Sequence, residues 1–199
     1  MASSVGAGVG DAKSALRRRV RETRSALDAT DLAHAGRALR DVLLATPEVA
    51  GARVVTLYVA VGREPGTGPL LEALSERGTD VLLPVLLPDL DLDWAYYAGP
   101  GDLEPATRGL LEPTGERLGP DAVTSADAVL VPGMAADRHG FRLGQGGGCY
   151  DRALARVAGR AFTCVLLHDG ELLDMPLPRD PHDVPVHAAA TPSALHRLR

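Results

Sequence analysis

Positions 1–10 are small and glycine-rich, with neither helical nor strand periodicity, and a disordered tail is expected there. Asp11 can cap a helix running to about Leu27. Wound at about 100° per residue, Ala12, Leu16, Val20, Thr23 and Leu27 share one arc. Lys13, Arg17, Arg21 and Arg24 fall on the arc beside it, so the helix can bury a stripe and run a row of cations along its edge. A second helix is expected from near Asp31, with Leu32, Ala35, Leu39, Val42 and Leu43 as its buried stripe, closed by Pro47.

Short apolar runs then alternate with helical stretches. Arg53–Ala60 reads as a strand and Thr67–Arg77 as a helix ended by Gly78. Val81–Leu83 is a strand stopped by Pro84, and Leu92–Ala98 alternates like a half-exposed strand. Gly99–Pro120 is rich in glycine and proline and reads mostly as loop. Ala126–Val131 is a buried strand, Tyr150–Val157 a helix, Phe162–Leu167 a strand and Val184–Ala190 a last strand. Such alternation implies an α/β fold, a mostly parallel sheet covered on both faces. No repeat or linker divides the chain, so residues 11–199 are expected to form a single domain.

Composition narrows the function classes. The 199 residues are 45% apolar and 24% charged, ordinary for a globular protein. A net charge of −5 argues against a general nucleic-acid or anionic-membrane binder, although a local basic pocket remains compatible with it. Two cysteines, Cys149 and Cys164, make no disulfide framework. The opening residues carry no secretory pattern, and no apolar run approaches the ~18 residues of a membrane span. A cytoplasmic protein is expected.

The chemistry concentrates in Leu130–Arg152, LVPGMAADRHGFRLGQGGGCYDR. A buried strand enters a loop holding Gly140, Gly144, Gly146, Gly147 and Gly148, and a helix starts near Tyr150. Glycines let backbone amides approach a ligand, and a helix N-terminus adds unpaired N–H donors, which suits phosphate. Arg142 can supply a bidentate phosphate or carboxylate contact, and Asp151 can hold a Mg²⁺ that bridges phosphates. Neither G-x-x-x-x-G-K-[ST] nor G-x-G-x-x-G in its usual setting is present.

This segment resembles the signature of the 5-formyltetrahydrofolate cyclo-ligase family. Pro132, Asp137, Gly140, Arg142, Leu143, Gly144, Gly146, Gly148, Tyr150 and Asp151 match that signature in order and spacing. Ala136 stands where the family usually has Phe, and Cys149 replaces the first aromatic of an aromatic-Tyr pair. The resemblance extends over nearly the whole chain beyond residue 10. Lys13 and Arg17 match a pair that contacts ATP phosphates, while Val59 and Glu64 fall where the family reads folate, the Glu accepting from the pterin ring. The resemblance puts Leu143, Gly144, Gln145, Gly146, Gly147, Gly148, Cys149 and Tyr150 against ATP, with Gln145 to Cys149 also touching folate. Gly109–Pro113 resembles a pocket-wall segment, but Arg108 precedes it where an aromatic is often found. Leu177, Pro178 and Asp183 match a segment whose Asp joins the Mg²⁺ site, and His187 occupies a position often given to a second Asp.

What the resemblance implies is a three-layer α/β sandwich similar to the sugar-phosphate isomerase and CoA transferase folds. The implied reaction is ATP-dependent cyclisation of 5-formyltetrahydrofolate to 5,10-methenyltetrahydrofolate, releasing ADP and phosphate. Lys13 and Arg142 would act in catalysis, with Mg²⁺ on Asp151 and Asp183; Cys149 is expected to be pocket wall rather than nucleophile. A monomer is expected, with a folate substrate and no nucleic-acid or membrane partner. Two alternatives stand beside this reading: a sugar-phosphate isomerase or deaminase on a related fold, and a non-catalytic folate-binding protein. ATP dependence separates the first, and the presence of Arg142 and Asp151 speaks against the second.

Overall fold

The computed structural model describes residues 3–157 and 159–198. The helices among the described residues are α1 (Ser3–Ser25), α2 (Ala29–Leu44), α3 (Pro47–Ala50), α4 (Gly68–Glu76) and α5 (Cys149–Val157). A central sheet takes seven strands in the order β12-β11-β9-β6-β1-β2-β3. These are β1 (Val54–Thr56), β2 (Asp80–Leu86), β3 (Leu92–Tyr96), β6 (Ala128–Pro132), β9 (Phe162–Leu166), β11 (Ala188–Ala190) and β12 (Leu195–Arg197). The five inner strands run parallel, and the two edges, β3 and β12, run antiparallel. Two small sheets stand beside it: β7 (Ala135–Asp137) with β8 (Arg142–Leu143) and β10 (Leu172–Leu173), and the hairpin β4 (Leu103–Pro105) with β5 (Leu111–Pro113).

Strands buried on both faces need apolar residues at nearly every position; β6 has them throughout, and β9 departs only at Thr163, whose hydroxyl accepts from the His187 amide. Alternate side chains split into two cores. Val55, Leu57, Val81, Leu83, Leu130 and Leu166 meet Leu39 and Leu43 of α2 and Leu70, Leu71 and Leu74 of α4. On the other face Leu82, Trp94, Val129, Val131 and Val165 meet Ala153, Leu154 and Val157 of α5 and Val123 of a 3-10 turn. The result is the expected three-layer α/β sandwich with a mostly parallel central sheet. Among the described residues no helix is long and apolar enough to cross a membrane.

Several local expectations are corrected. Helix α1 begins at Ser3, so positions 3–10 of the expected tail are helical and Asp11 lies inside the helix instead of capping it; residues 1 and 2 lie outside the described residues. No proline interrupts positions 3–10, and extending a helix already nucleated costs far less than starting one. The inward arc of α1 is also displaced. Ala12 and Thr23 are exposed, whereas Lys13, Val20 and Arg24 are buried. Charge can go inside here because each buried cation meets a carboxylate: Lys13 meets Asp180 and Asp183, and Arg24 meets Glu171.

Helix α2 starts two residues early, on a capping box in which Asp28 accepts from the Thr30 and Asp31 amides. Pro47 opens α3, where its missing N–H costs nothing, rather than directly closing α2. Pro84 does not stop β2. Odd residues of β2 hydrogen-bond toward β3, as in Tyr97 N to Val81 O, so Pro84 turns its nitrogen toward β1, which has already ended at Thr56. Strand β3, expected to be half-exposed, is buried from Leu92 to Ala95, because α5 and the 3-10 turn Pro120–Ser125 cover its outer face. The expected loop 99–120 carries the β4–β5 hairpin, and the last expected strand is confined to β11, followed by an unexpected β12.

Candidate active site

The glycine loop leaves β8 and enters α5, and its shape depends on glycine where backbone and contacts demand it. Gly140 has φ 86, and a Cβ there would stand 2.5 Å from the Val186 carbonyl oxygen. Gly146 has φ 111, with the Arg17 guanidinium packed 3.6 Å from where a Cβ would project. Asp137 braces the loop: Oδ1 accepts from the His139 and Phe141 amides and Oδ2 from Leu177 N. In the first turn of α5, Asp151 Oδ1 accepts from Val184 N at 3.2 Å and pairs with Arg142 Nη1 at 3.1 Å. Arg142 is buried, donates also to the Val184 carbonyl, and leaves its Nε without a partner. Burial pulls the Arg142 guanidinium below its ordinary range, opposed by Asp151. Its fixed charge therefore stands in a poorly solvated place, where it is most effective on an anion.

Helix α1 delivers a row of cations to the same loop. Lys13 Nζ donates to Asp180 Oδ2 at 2.8 Å and Asp183 Oδ2 at 2.6 Å. Burial opposes the charge on Lys13, but hydrogen bonds from its ammonium to the two carboxylates outweigh it and hold its pKa above the ordinary value. Arg17 Nε donates to the Gly144 carbonyl at 2.9 Å, and Arg21 donates to Gln145 Oε1 at 3.2 Å. Arg24 is the anchor, forked onto Glu171 at 2.6 and 2.8 Å and donating to the Gly133 carbonyl.

Lys13, Arg17 and the glycine loop border a cavity of about 480 Å³. Every residue expected from the sequence to act in catalysis or to hold ATP, folate or a metal lines it: Lys13, Arg17, Val59, Glu64, the run Arg142 to Asp151, and Asp183. The apolar part of the wall comes from Pro84, Leu86 and Leu92 of β2 and β3 and from Leu110 and Leu111 at the hairpin. Glu64 accepts from Val61 N at 3.1 Å, and burial pushes its carboxyl above the usual range. Burial likewise raises the Cys149 thiol, so this residue is not poised as a thiolate nucleophile. His187 is not in the cavity; its Nδ1 faces Thr163 and its ring stacks on Phe162.

Asp151 approaches Asp183 through the backbone, accepting from the amide of the next residue, Val184. Asp183 groups with Asp180 and His182, whose ligand atoms lie within 4.8 Å of one another, while Asp151 is engaged by Arg142. The sequence reading missed Asp180, Tyr58 and Met134 as cavity residues. Asp180 was open to notice, since it lies three residues before Asp183 in an Asp-Pro-His-Asp run.

Residues 9–192 match the model of the 5-formyltetrahydrofolate cyclo-ligase family. The chain belongs to that family. A 5-formyltetrahydrofolate cyclo-ligase of Mycolicibacterium smegmatis is 45% identical over 145 residues, covering 70% of this chain and 74% of its own. One of Escherichia coli is 30% identical over 177 residues, covering 87% and 97%. Among solved structures, the 5,10-methenyltetrahydrofolate synthetase of Aquifex aeolicus superposes with a TM-score of 0.80 at 30% identity, over 94% of this chain and 93% of that one. A cyclo-ligase chain with this cavity therefore carries the family's signature loop on the family's fold.

Proposed function

We propose that this protein closes 5-formyltetrahydrofolate to 5,10-methenyltetrahydrofolate, with conversion of ATP to ADP and phosphate. One observation carries the reading: in a chain of this family, the basic glycine loop, the Lys13–Arg17 row and the Glu64 carboxylate line a single cavity. The formyl oxygen of the substrate is a poor leaving group. It attacks the γ-phosphorus of ATP, an O–P bond forms and the bond to ADP breaks, leaving an iminium phosphate. N10 then attacks the formyl carbon, the carbon–oxygen bond breaks, and the proton lost from N10 leaves with phosphate.

Phosphoryl transfer asks a protein mainly for positioning and charge neutralisation. Arg142 supplies a buried guanidinium with an unpartnered Nε, and the amides at the start of α5 supply further donors. Arg17 and Lys13 extend the positive wall by one helical turn. Glu64 orients the pterin ring by accepting its N–H groups. The carboxylates of Asp183 and Asp151 fit a Mg²⁺, being hard oxygen donors that each already face a cation, the Lys13 ammonium and the Arg142 guanidinium. Bound there, Mg²⁺ supplies charge neutralisation at phosphate oxygens. The reading extends to a cytoplasmic monomer, consistent with a net charge of −5 and two free cysteines.

The test is spectrophotometric formation of methenyltetrahydrofolate by the purified protein. Product should appear only when ATP and a divalent cation are both present. Turnover at full rate without nucleotide, or in EDTA, would overturn the mechanism.

A further inference from the structure

The cavity has two kinds of wall. Lys13, Arg17 and Arg142 face one part of it, whereas the residues from β2, β3 and the hairpin are apolar except for Glu112 and Arg108. Glu112 is already used, since its Oε1 accepts from Leu86 N at 3.0 Å. Arg108 is the single cation on this wall among the described residues. It is exposed at the hairpin tip and makes no hydrogen bond or ion pair with another described residue.

The backbone there is unusual. Arg108 has φ 59 and ψ 22, the left-handed region that Gly or Asn would enter more readily. The turn is held on both sides, by Ala106 N to Leu110 O at 2.9 Å and Leu110 N to Thr107 O at 3.2 Å. A strained non-glycine residue with a free charged head at a ligand cavity points to a use for the head.

The substrate tells which use. 5-Formyltetrahydrofolate joins a pterin and a benzoyl ring, suited to an apolar wall, to a glutamyl group with two carboxylates. The triphosphate of ATP has Lys13, Arg17 and Arg142. We propose that Arg108 is a specificity-determining residue that pairs with a glutamyl carboxylate of the folate as the rings lie along Leu110, Leu86 and Leu92. This rests on the function proposed above and names the group that distinguishes a folate from a bare pterin derivative. A guanidinium presents a fork of donors that matches a carboxylate, and Arg108 reaches it without giving up another partner.

The experiment compares 5-formyltetrahydrofolate with 5-formyltetrahydropteroate, which has both rings and no glutamyl group. Arg108→Gly removes the cation and relieves the left-handed backbone, so the fold should survive; Arg108→Asn does the same with a side chain retained. Both variants should raise KM for 5-formyltetrahydrofolate about five-fold, as expected for a half-solvated charged hydrogen bond. Values of kcat and KM for ATP should stay put, KM for the pteroate should equal that of the parent, and Arg108→Lys should recover part of the loss. Equal shifts on both folates, a shift in KM for ATP instead, or no shift in any of them overturns the assignment. If the parent turns over neither compound, the proposed reaction has failed, and calorimetric binding of the same two compounds still decides Arg108. Loss of preference between them in the variants supports it, and unchanged preference, or no binding to the parent, overturns it.

Discussion

Arg142 is a buried charge and Glu64 a half-buried one, and burial moves their pKa values in opposite directions. The Arg142 guanidinium keeps Asp151 as a partner and has an Nε to spare. Arg142→Ala should lower kcat by about a hundred-fold or more, the range found when a preorganised transition-state donor is removed. Arg142→Lys should restore little, because the fork is lost. An unchanged kcat in a folded Arg142→Ala protein would reduce the loop to a turn. Glu64 is held above its ordinary value of 4.5 chiefly by burial, only partly opposed by the Val61 amide and Arg24. The folded state thus binds this proton more tightly than the unfolded chain. The resulting stability is complete below 4.5 and is lost as pH rises through the folded value. Glu64→Gln, neutral throughout, should therefore melt above the parent at about pH 8, the gap closing toward about pH 4. The same variant should raise KM for the folate about ten-fold or more, since it exchanges a charged acceptor for a neutral one. A pH-independent gap in melting temperature would show that Glu64 is not the titrating group.

Helix α1 shows how a row of similar cations divides its labour. Arg24 lies at the inner end, with side chains of only 6% and 7% exposure in its pair with Glu171. Arg24→Ala leaves that carboxylate buried alone and should cost about 3–5 kcal/mol. Arg17 contacts the loop carbonyl of Gly144 instead, so Arg17→Ala should raise KM for ATP and leave the melting temperature nearly unchanged. Lys13→Ala should do both in moderate degree, because Asp183 loses its counter-charge while the phosphates lose a ligand. Thermal melts and ATP titrations of the three variants check this gradient. If all three lose stability equally and bind ATP alike, the helix is scaffold only. The cationic row was legible from the spacing of 13, 17, 21 and 24, but its burial was not. The partners that make burial tolerable lie at 171, 180 and 183, and no local pattern joins them to the first helix.

At the scale of the molecule, what the sequence disclosed depended on whether the signal was contiguous. The loop from Gly140 to Asp151 is one unbroken motif, and all its residues from Arg142 onward reach the cavity. The buried strands β6 and β9 were readable as apolar runs bounded by turns. Strands β7, β8 and β10 were not, because two or three residues carry no period. Strand β3 misled because alternation in Leu92–Tyr96 records the chemistry of its residues, and the cover supplied by α5 comes from over fifty positions away. Because the cavity unites α1, the loop and Asp183, ligand should stabilise the whole. ATP with Mg²⁺ should raise the melting temperature further with each increase in concentration, the folded state gaining about 2.7 kcal/mol at a hundred times Kd. A flat response would mean that the nucleotide does not select the folded state.

The anchors of α1 have a temporal side as well. Its ion pairs span 147, 167 and 170 positions, so the helix leaves the ribosome long before the residues it docks on. Until residue 183 is synthesised, the nascent chain can gather its central strands and α2, and can seat Arg24 on Glu171, but lacks the Asp183 partner of Lys13. The pocket is therefore completed only once Asp183 has been made, and a chain cut short before Asp180 would lack two of the three carboxylates that seat the helix.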